Sequence, residues 1–278
     1  MSEIGVIGGS GAYDLLTRNV FRSERIEPAN TPYGKSQAIY KISFDGGYFY
    51  FLSRHGEKDY SITATEVNYR ANIFALKKYG VDKIISWSGP GAINTDYSIG
   101  DMVVPDDVID ETRVRESTFF RGKGVGFIRQ SPTFCPSLRF ILQRALENLS
   151  IFHHKKGVYV CTEGPRLETA AEINKYRIIG ADLVGMTLVP EVFLAREMEM
   201  CYGSLCYITN YAEGIREREF KEGVLFEGLL DEDEIHRVRK AVENFPQIIF
   251  ETVRLIQESC PECHCSKILD RYRKKGLL

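Results

Sequence analysis

The chain has 278 residues, 44% hydrophobic and 27% charged, with a formal net charge of -2. Near-neutrality leaves no electrostatic footprint for nucleic acid or an anionic membrane, so an anion site must be built locally. Apolar runs fall short of the roughly 20 residues of a membrane span, and no basic region precedes the first apolar run, so an enzyme-sized cytoplasmic protein is expected.

Residues 3–7 (EIGVI) predict a buried first strand, followed by the loop GGSGAYDL. Its glycines let the backbone turn sharply and leave amides free for an anion. Neither the dinucleotide fingerprint nor the P-loop pattern fits, so the loop favours phosphate without specifying a nucleotide. Residues 40–44 and 48–52 predict a hairpin, which leads into SRHGEKD. There Arg54 and His55 offer a guanidinium fork and an imidazole, both expected to donate to an oxyanion. Residues 64–79 predict an amphipathic helix stopped by Gly80. Residues 82–87 predict a buried strand that opens into SGPGAI, a second glycine-rich turn with Ser88 and Gly89 at its start.

A strand at 100–104 and a charged surface excursion over 106–124 follow. A helix at 136–149 and a strand at 158–161 lead into TEGPRLET. Glu168 precedes a helix over 170–179, where a carboxylate either favours the helix N-terminus or accepts from ring N–H donors of a ligand. Residues 180–214 read as strand, helix, strand. A parallel βαβ unit would set Met186, Thr187 and Asn210 at one sheet edge, where α/β folds bind ligands. After a charged segment over 213–223, residues 233–259 predict a long helical pattern broken or kinked at Pro246. No linker or repeat interrupts the chain. The expectation is a single α/β domain over residues 1–278, a mixed central sheet flanked by helices.

Ten motifs in order, IGVIGGSG, TPYGK, SRHGE, EVNYRANIFALK, GPGAI, IGDMVVPDDVID, FCP, EGPRLET, GADLVGMTLVPEV and ITNYAEG, resemble the trimeric purine nucleoside phosphorylase and methylthioadenosine phosphorylase family over nearly the whole length. The resemblance implies phosphorolysis. Inorganic phosphate attacks C1′ of a purine nucleoside, and the C–N bond breaks through an oxocarbenium-like state. The products are free purine and a sugar 1-phosphate, a step of purine salvage.

By motif match the phosphate donors are Ser10, Arg54, His55, Ser88, the Gly89 amide and Thr187. Met186 lies under the ribose. Asn210, with Tyr211 and Ala212 following, contacts the base, and Asn210 and His55 are the catalytic candidates. Relatives that use adenine nucleosides carry Asp at the positions of Asn210 and Ala212. An Asn amide can donate to a 6-keto oxygen or N7, and Glu168 matches the carboxylate that accepts N1–H. Inosine and guanosine are therefore expected as substrates. The alternative is S-methyl-5′-thioinosine or S-methyl-5′-thioadenosine, because Gly223, Val224, Leu225 and Phe226 stand where relatives place a 5′-hydroxyl histidine.

Phe127 is the candidate for the residue each subunit lends its neighbour in a homotrimer, with a hexamer as the alternative assembly. No cofactor is implied beyond phosphate as co-substrate, and no metal. Of the seven cysteines, Cys260, Cys263 and Cys265 crowd the C-terminus beside His264. They lack a second half-site for zinc. Some heat-adapted relatives carry disulfides, for which Cys135, Cys201 and Cys206 are candidate partners. Inert thiols are the leading expectation in a cytoplasm.

Overall fold

The computed structural model describes residues 3–9, 22–45, 47–57, 61–216 and 222–278. A mixed eight-stranded sheet runs from edge to edge as β11 (His153–His154), β9 (Met102–Val103), β14 (Cys201–Tyr207), β7 (Val81–Ser88), β1 (Glu3–Gly8), β6 (Gly47–Ser53), β5 (Ile39–Phe44) and β2 (Arg22–Ile26). Its centre, β14, β7, β1 and β6, is parallel. Period-two alternation along β1 sends Ile7 to one core and Ile4 and Val6 to the other. Helices α1 (Tyr69–Lys78) and α4 (Leu188–Glu197) cover the first face. Helices α2 (Pro136–Asn148) and α6 (Phe245–Ser259) cover the second. The predicted α/β architecture is therefore present, with apolar cores on both faces of the sheet.

A five-stranded sheet adds β10 (Asp107–Glu111), β12 (Val158–Thr162), β13 (Leu183–Gly185), β8 (Gly91–Ala92) and β15 (Asn210–Tyr211), in that order, and β3 (Asn30–Thr31) pairs with β4 (Gly34–Lys35) in a short ribbon. The five-stranded sheet corrects the expected βαβ unit over 180–214. The strand at 183–185 lies in this smaller sheet, whereas the strand at 201–207 lies in the larger one. Met186 and Asn210 approach each other through β8, which pairs antiparallel with β13 and parallel with β15.

Two helix boundaries also differ from expectation. Helix α1 begins at Tyr69 rather than 64, because the Asn68 side chain accepts the Ala71 N–H at 3.1 Å and caps it. The long C-terminal pattern divides at Asn244 into α5 (Glu232–Glu243) and α6, with Pro246 in the first turn of the second helix. Proline is tolerated there because its missing N–H is one the helix would leave unpaired.

Candidate active site

Parallel strands point their carboxyl ends to one edge, and in the larger sheet that edge carries Gly8, Ser53, Ser88 and Tyr207. In the smaller sheet Thr162 and Gly185 end their strands beside the entrance to β8 and β15. The two edges meet at Ser88 to Gly91, the turn joining β7 to β8. Close backbone approach is required here. A Cβ on Gly9 would lie 2.6 Å from the Trp87 carbonyl oxygen and 2.9 Å from Arg54 Nη1.

Three hydroxyls gather at this junction. Ser88 Oγ lies 3.3 Å from both Tyr159 Oη and Thr187 Oγ1. All three residues are buried. Burial pushes the Tyr159 phenol well up, so it stays protonated and able to donate. Thr187 is the residue before α4, and its hydroxyl makes no cap bond to that helix. The sequence pointed to Ser88 and Thr187, and the structure brings them together. Tyr159, in mid-strand, carried no sequence signal.

Arg54 is completely buried and largely committed within the protein. Nε and Nη2 donate to Glu191 at 3.0 and 2.9 Å. Nη2 also reaches Ser86 Oγ at 2.8 Å, and Nη1 reaches the Trp87 carbonyl at 2.9 Å. Burial alone would lower the guanidinium pKa, but the Glu191 carboxylate outweighs it and the net shift is upward. Of five N–H groups, four are used, leaving one on Nη1 beside Gly9. The sequence reading of an open fork is corrected accordingly. Glu191 is the residue it missed. A lone carboxylate in the apolar run LVPEVFLA was the available signal, since acids are rarely buried unpaired.

His55 is likewise buried, and its Nδ1 lies 2.9 Å from the Ile62 carbonyl. Desolvation, with the Arg54 charge beside it, pushes its pKa down to about 4. A neutral ring whose Nδ1–H donates to a carbonyl presents Nε2 as an acceptor. The expected imidazole donor to an oxyanion is therefore corrected: the ring is neutral and its Nδ1–H is given to the Ile62 carbonyl.

On the smaller sheet, Glu168 is released from helix capping. Thr169 and Glu172 form the capping box of α3 (Ala170–Ile178), while Glu168 Oε1 accepts from Thr162 Oγ1 at 2.5 Å. Half-buried Asn210 accepts from Thr209 Oγ1 at 2.7 Å and donates Nδ2 to the Tyr211 carbonyl at 2.8 Å. One N–H and one lone pair are left for a ligand. Met186 packs against Gly164, whose φ of +68° and absent Cβ make room for the thioether. Arg115 ties the two loops together. Nη1 donates to the Met186 and Val189 carbonyls, both at 2.6 Å, and Nη2 donates to the Thr162 and Glu163 carbonyls at 3.1 and 2.6 Å. Within a charged surface stretch nothing marked Arg115 out.

Other expected residues are placed differently. The Tyr211 side chain turns into the core, its hydroxyl donating to the Tyr97 carbonyl at 2.9 Å, and Ala212 packs beside Ile93 and Val160. Phe127 is 83% exposed and belongs to the loop between β10 and α2 rather than to the sheet edges. It borders a groove of about 380 Å³ that also includes Thr118, Phe193 and Glu197, apart from the hydroxyl cluster. Val224 and Leu225 are exposed, and nothing is inferred for Phe226, whose side chain is not described. Ser10 lies outside the described residues.

Hydroxyls and a buried guanidinium on one sheet, with a carboxylate and an amide on the other, define an α/β protein whose polar groups suit an oxyanion and a hydrogen-bonding ring. The phosphorylase superfamily model matches residues 3–254. A 6-oxopurine nucleoside phosphorylase of Pyrococcus furiosus is 39% identical, covering 97% of this chain and 98% of its own. A probable S-methyl-5′-thioinosine phosphorylase of Methanocaldococcus jannaschii is 42% identical over 87% of this chain and 91% of its own. The solved structure of a methylthioadenosine phosphorylase from an antarctic soil metagenomic library superposes with a TM-score of 0.82 at 36% identity, covering 97% of this chain and 91% of that one. The chain belongs to the phosphorylase superfamily.

Proposed function

We propose that the protein catalyses phosphorolysis of 6-oxopurine nucleosides, inosine and guanosine, to free purine and ribose 1-phosphate. What supports this reading is the hydrogen-bonding capacity of two residues, the N–H that Asn210 keeps beyond its bond to Tyr211 and the carboxylate of Glu168, which the capping box of α3 leaves out. A 6-oxopurine offers O6 and N7 as acceptors and N1–H as donor. The free Asn210 N–H matches the first set, and the Glu168 carboxylate matches the second. A 6-aminopurine would set its amino donor against that N–H, and an unpaired polar group in a closed site discriminates strongly.

In this reading phosphate sits against Ser88, Thr187 and the Gly89 amide, with Ser10 and the spare Arg54 N–H as further donors. Tyr159 joins them. His55 stays neutral beside Arg54, and hydrogenphosphate turns an unprotonated oxygen toward C1′. That oxygen forms the new C1′–O bond as the C1′–N9 bond breaks and its electron pair enters the purine. Asn210 donates to the base as that charge develops, the kind of directed stabilisation worth a few kcal/mol of barrier. Met186 provides an apolar floor for the sugar. No cofactor enters these steps.

A homotrimer in the cytoplasm completes the proposal. Exposed apolar side chains at Val114, Phe127 and Ile178 fit burial between subunits. Seven cysteines without a disulfide fit a reducing compartment. Among the described residues no helix is long and apolar enough to cross a membrane.

The methylthio alternative is favoured by relatives bearing those names. Inosine, guanosine, methylthioinosine and methylthioadenosine, each assayed with and without phosphate, separate the readings. Phosphate-dependent release of hypoxanthine or guanine should dominate. A dominant rate on methylthioadenosine would overturn the Asn210 argument, and equal rates without phosphate would make the protein a hydrolase.

A further inference from the structure

The cysteines expected to be inert are assembled at one point. The sequence showed Cys260, Cys263 and Cys265 crowded beside His264, with no second half-site to complete a metal site. The fold supplies that pair. Cys135 is the residue before α2, and Cys201 opens β14; their sulfurs and those of Cys263 and Cys265 all lie within 4.8 Å of one another. Cys201 and Cys263 are 3.3 Å apart. Four thiolates about 2.3 Å from a central zinc form a tetrahedron with edges near 3.8 Å, so the spacing needs only small adjustments. Cys260, Cys206 and His264 lie outside the group.

The surroundings also suit an anionic metal–thiolate centre. Cys135 occupies a helix N-terminus, where amide dipoles favour a thiolate. Arg196 is buried close enough for Cys265 and Cys135 to act on its charge, and its Nε–H has no partner among the described residues. A zinc ion with four thiolates carries two net negative charges, and a buried guanidinium offsets part of that. Soft sulfur donors in tetrahedral array select zinc over hard cations.

We propose that Cys135, Cys201, Cys263 and Cys265 bind one structural zinc ion. Four thiols lose their protons on binding, and no oxidant or reductant is involved. The ion fastens the C-terminal tail to α2 and β14. Other contacts run the same way: Ser137 Oγ donates to the Glu262 carbonyl at 3.1 Å, and the Leu269 N–H donates to Glu199 at 3.1 Å. Further along, Tyr272 Oη accepts the Phe127 N–H at 2.7 Å and donates to its carbonyl at 3.2 Å. The ion therefore holds, through the tail, the loop that carries Phe127. The centre lies at the start of β14, whereas Asn210 follows its far end, so its role is structural.

The test is elemental analysis of the full chain, expressed with zinc and purified under reducing conditions without added chelator. About one zinc per chain is expected. Titrating the wild type with an organomercurial should release that zinc as four thiols react. Cys135→Ser and Cys265→Ser should lose the metal, and Cys260→Ser should keep it. Cobalt loaded into the metal-free chain should give the charge-transfer and visible bands of a tetrahedral thiolate site. Limited proteolysis should cut the tail faster once the metal is removed. Metal-free protein with all cysteines titratable would overturn the proposal. So would an intact mass, read on wild-type protein purified without reductant, lowered by the hydrogens lost in disulfides, and both readings need only wild-type protein.

Discussion

Glu191→Gln tests the buried centre of the candidate site. Glu191 accepts from Arg54 Nε and Nη2, from Tyr202 Oη at 2.7 Å and from Ser86 Oγ at 3.3 Å. A glutamine has nearly the same shape but only one acceptor oxygen. Whichever way it turns, its NH2 faces one N–H of Arg54, so one charge-assisted bond becomes a donor–donor contact. Such a bond is worth about 1.5–3 kcal/mol. The Arg54 charge is then left fully buried without its counter-charge, and breaking a buried pair from one side costs about 3–5 kcal/mol in all. Against a total stability of roughly 5–15 kcal/mol, that is a large fraction. Guanidinium denaturation of both proteins should show the loss as a lower midpoint, and the phosphate KM should rise as Arg54 Nη1 shifts. Arg54→Met with Glu191→Leu removes both charges, so it should regain much of the stability while phosphorolysis stays impaired. A loss below about 1 kcal/mol with an unchanged phosphate KM would refute the claim that this pair organises the site.

Three further outcomes are expected. His55 has a folded pKa of about 4 against roughly 6.5 when unfolded, so below neutrality the unfolded chain binds the extra proton and the folded one does not. Its contribution is complete above about pH 6.5 and is lost as pH falls toward 4, by up to about 3 kcal/mol; His55→Gln should flatten this part of the stability profile, and an unchanged profile would contradict a neutral buried ring. In Gly185→Ala the new Cβ would lie 2.0 Å from Tyr159 Oη, so the phenol must leave Ser88 and Thr187. A cost of about 1–3 kcal/mol and a raised phosphate KM are expected, and a variant indistinguishable in both would place Tyr159 wrongly. Asn210→Asp should shift the ratio of rates on adenosine to inosine upward by about tenfold or more, read in parallel steady-state assays; no shift would mean Asn210 does not face the base.

Much of this protein was legible before folding was considered. Period-two strands, the 3.6-residue helices and glycine-rich turns after strands are set by local backbone and solvent preferences, and they located β1, β7, α2 and both halves of the site. Ser88, Thr187 and Asn210 were visible because they stand at or near strand ends in distinctive motifs, and Glu168 because it stands in the EGPRLET loop before a helix. What the tertiary structure alone decided was partnership. The βαβ expectation failed because local pattern does not say which sheet a strand joins, and 183–185 and 201–207 separate. Arg54 read as an open fork because its partner Glu191 is 137 residues away. His55 read as a donor because only burial and the Ile62 carbonyl fix its neutral tautomer. Arg115 and Tyr159 had no local mark, since their roles exist only where distant loops converge. The cysteines show the same division. The chain order shows three cysteines and a histidine crowded at one end, and the fold selects Cys263 and Cys265 by placing Cys135 and Cys201 beside them, because packing brings together what chain order keeps apart.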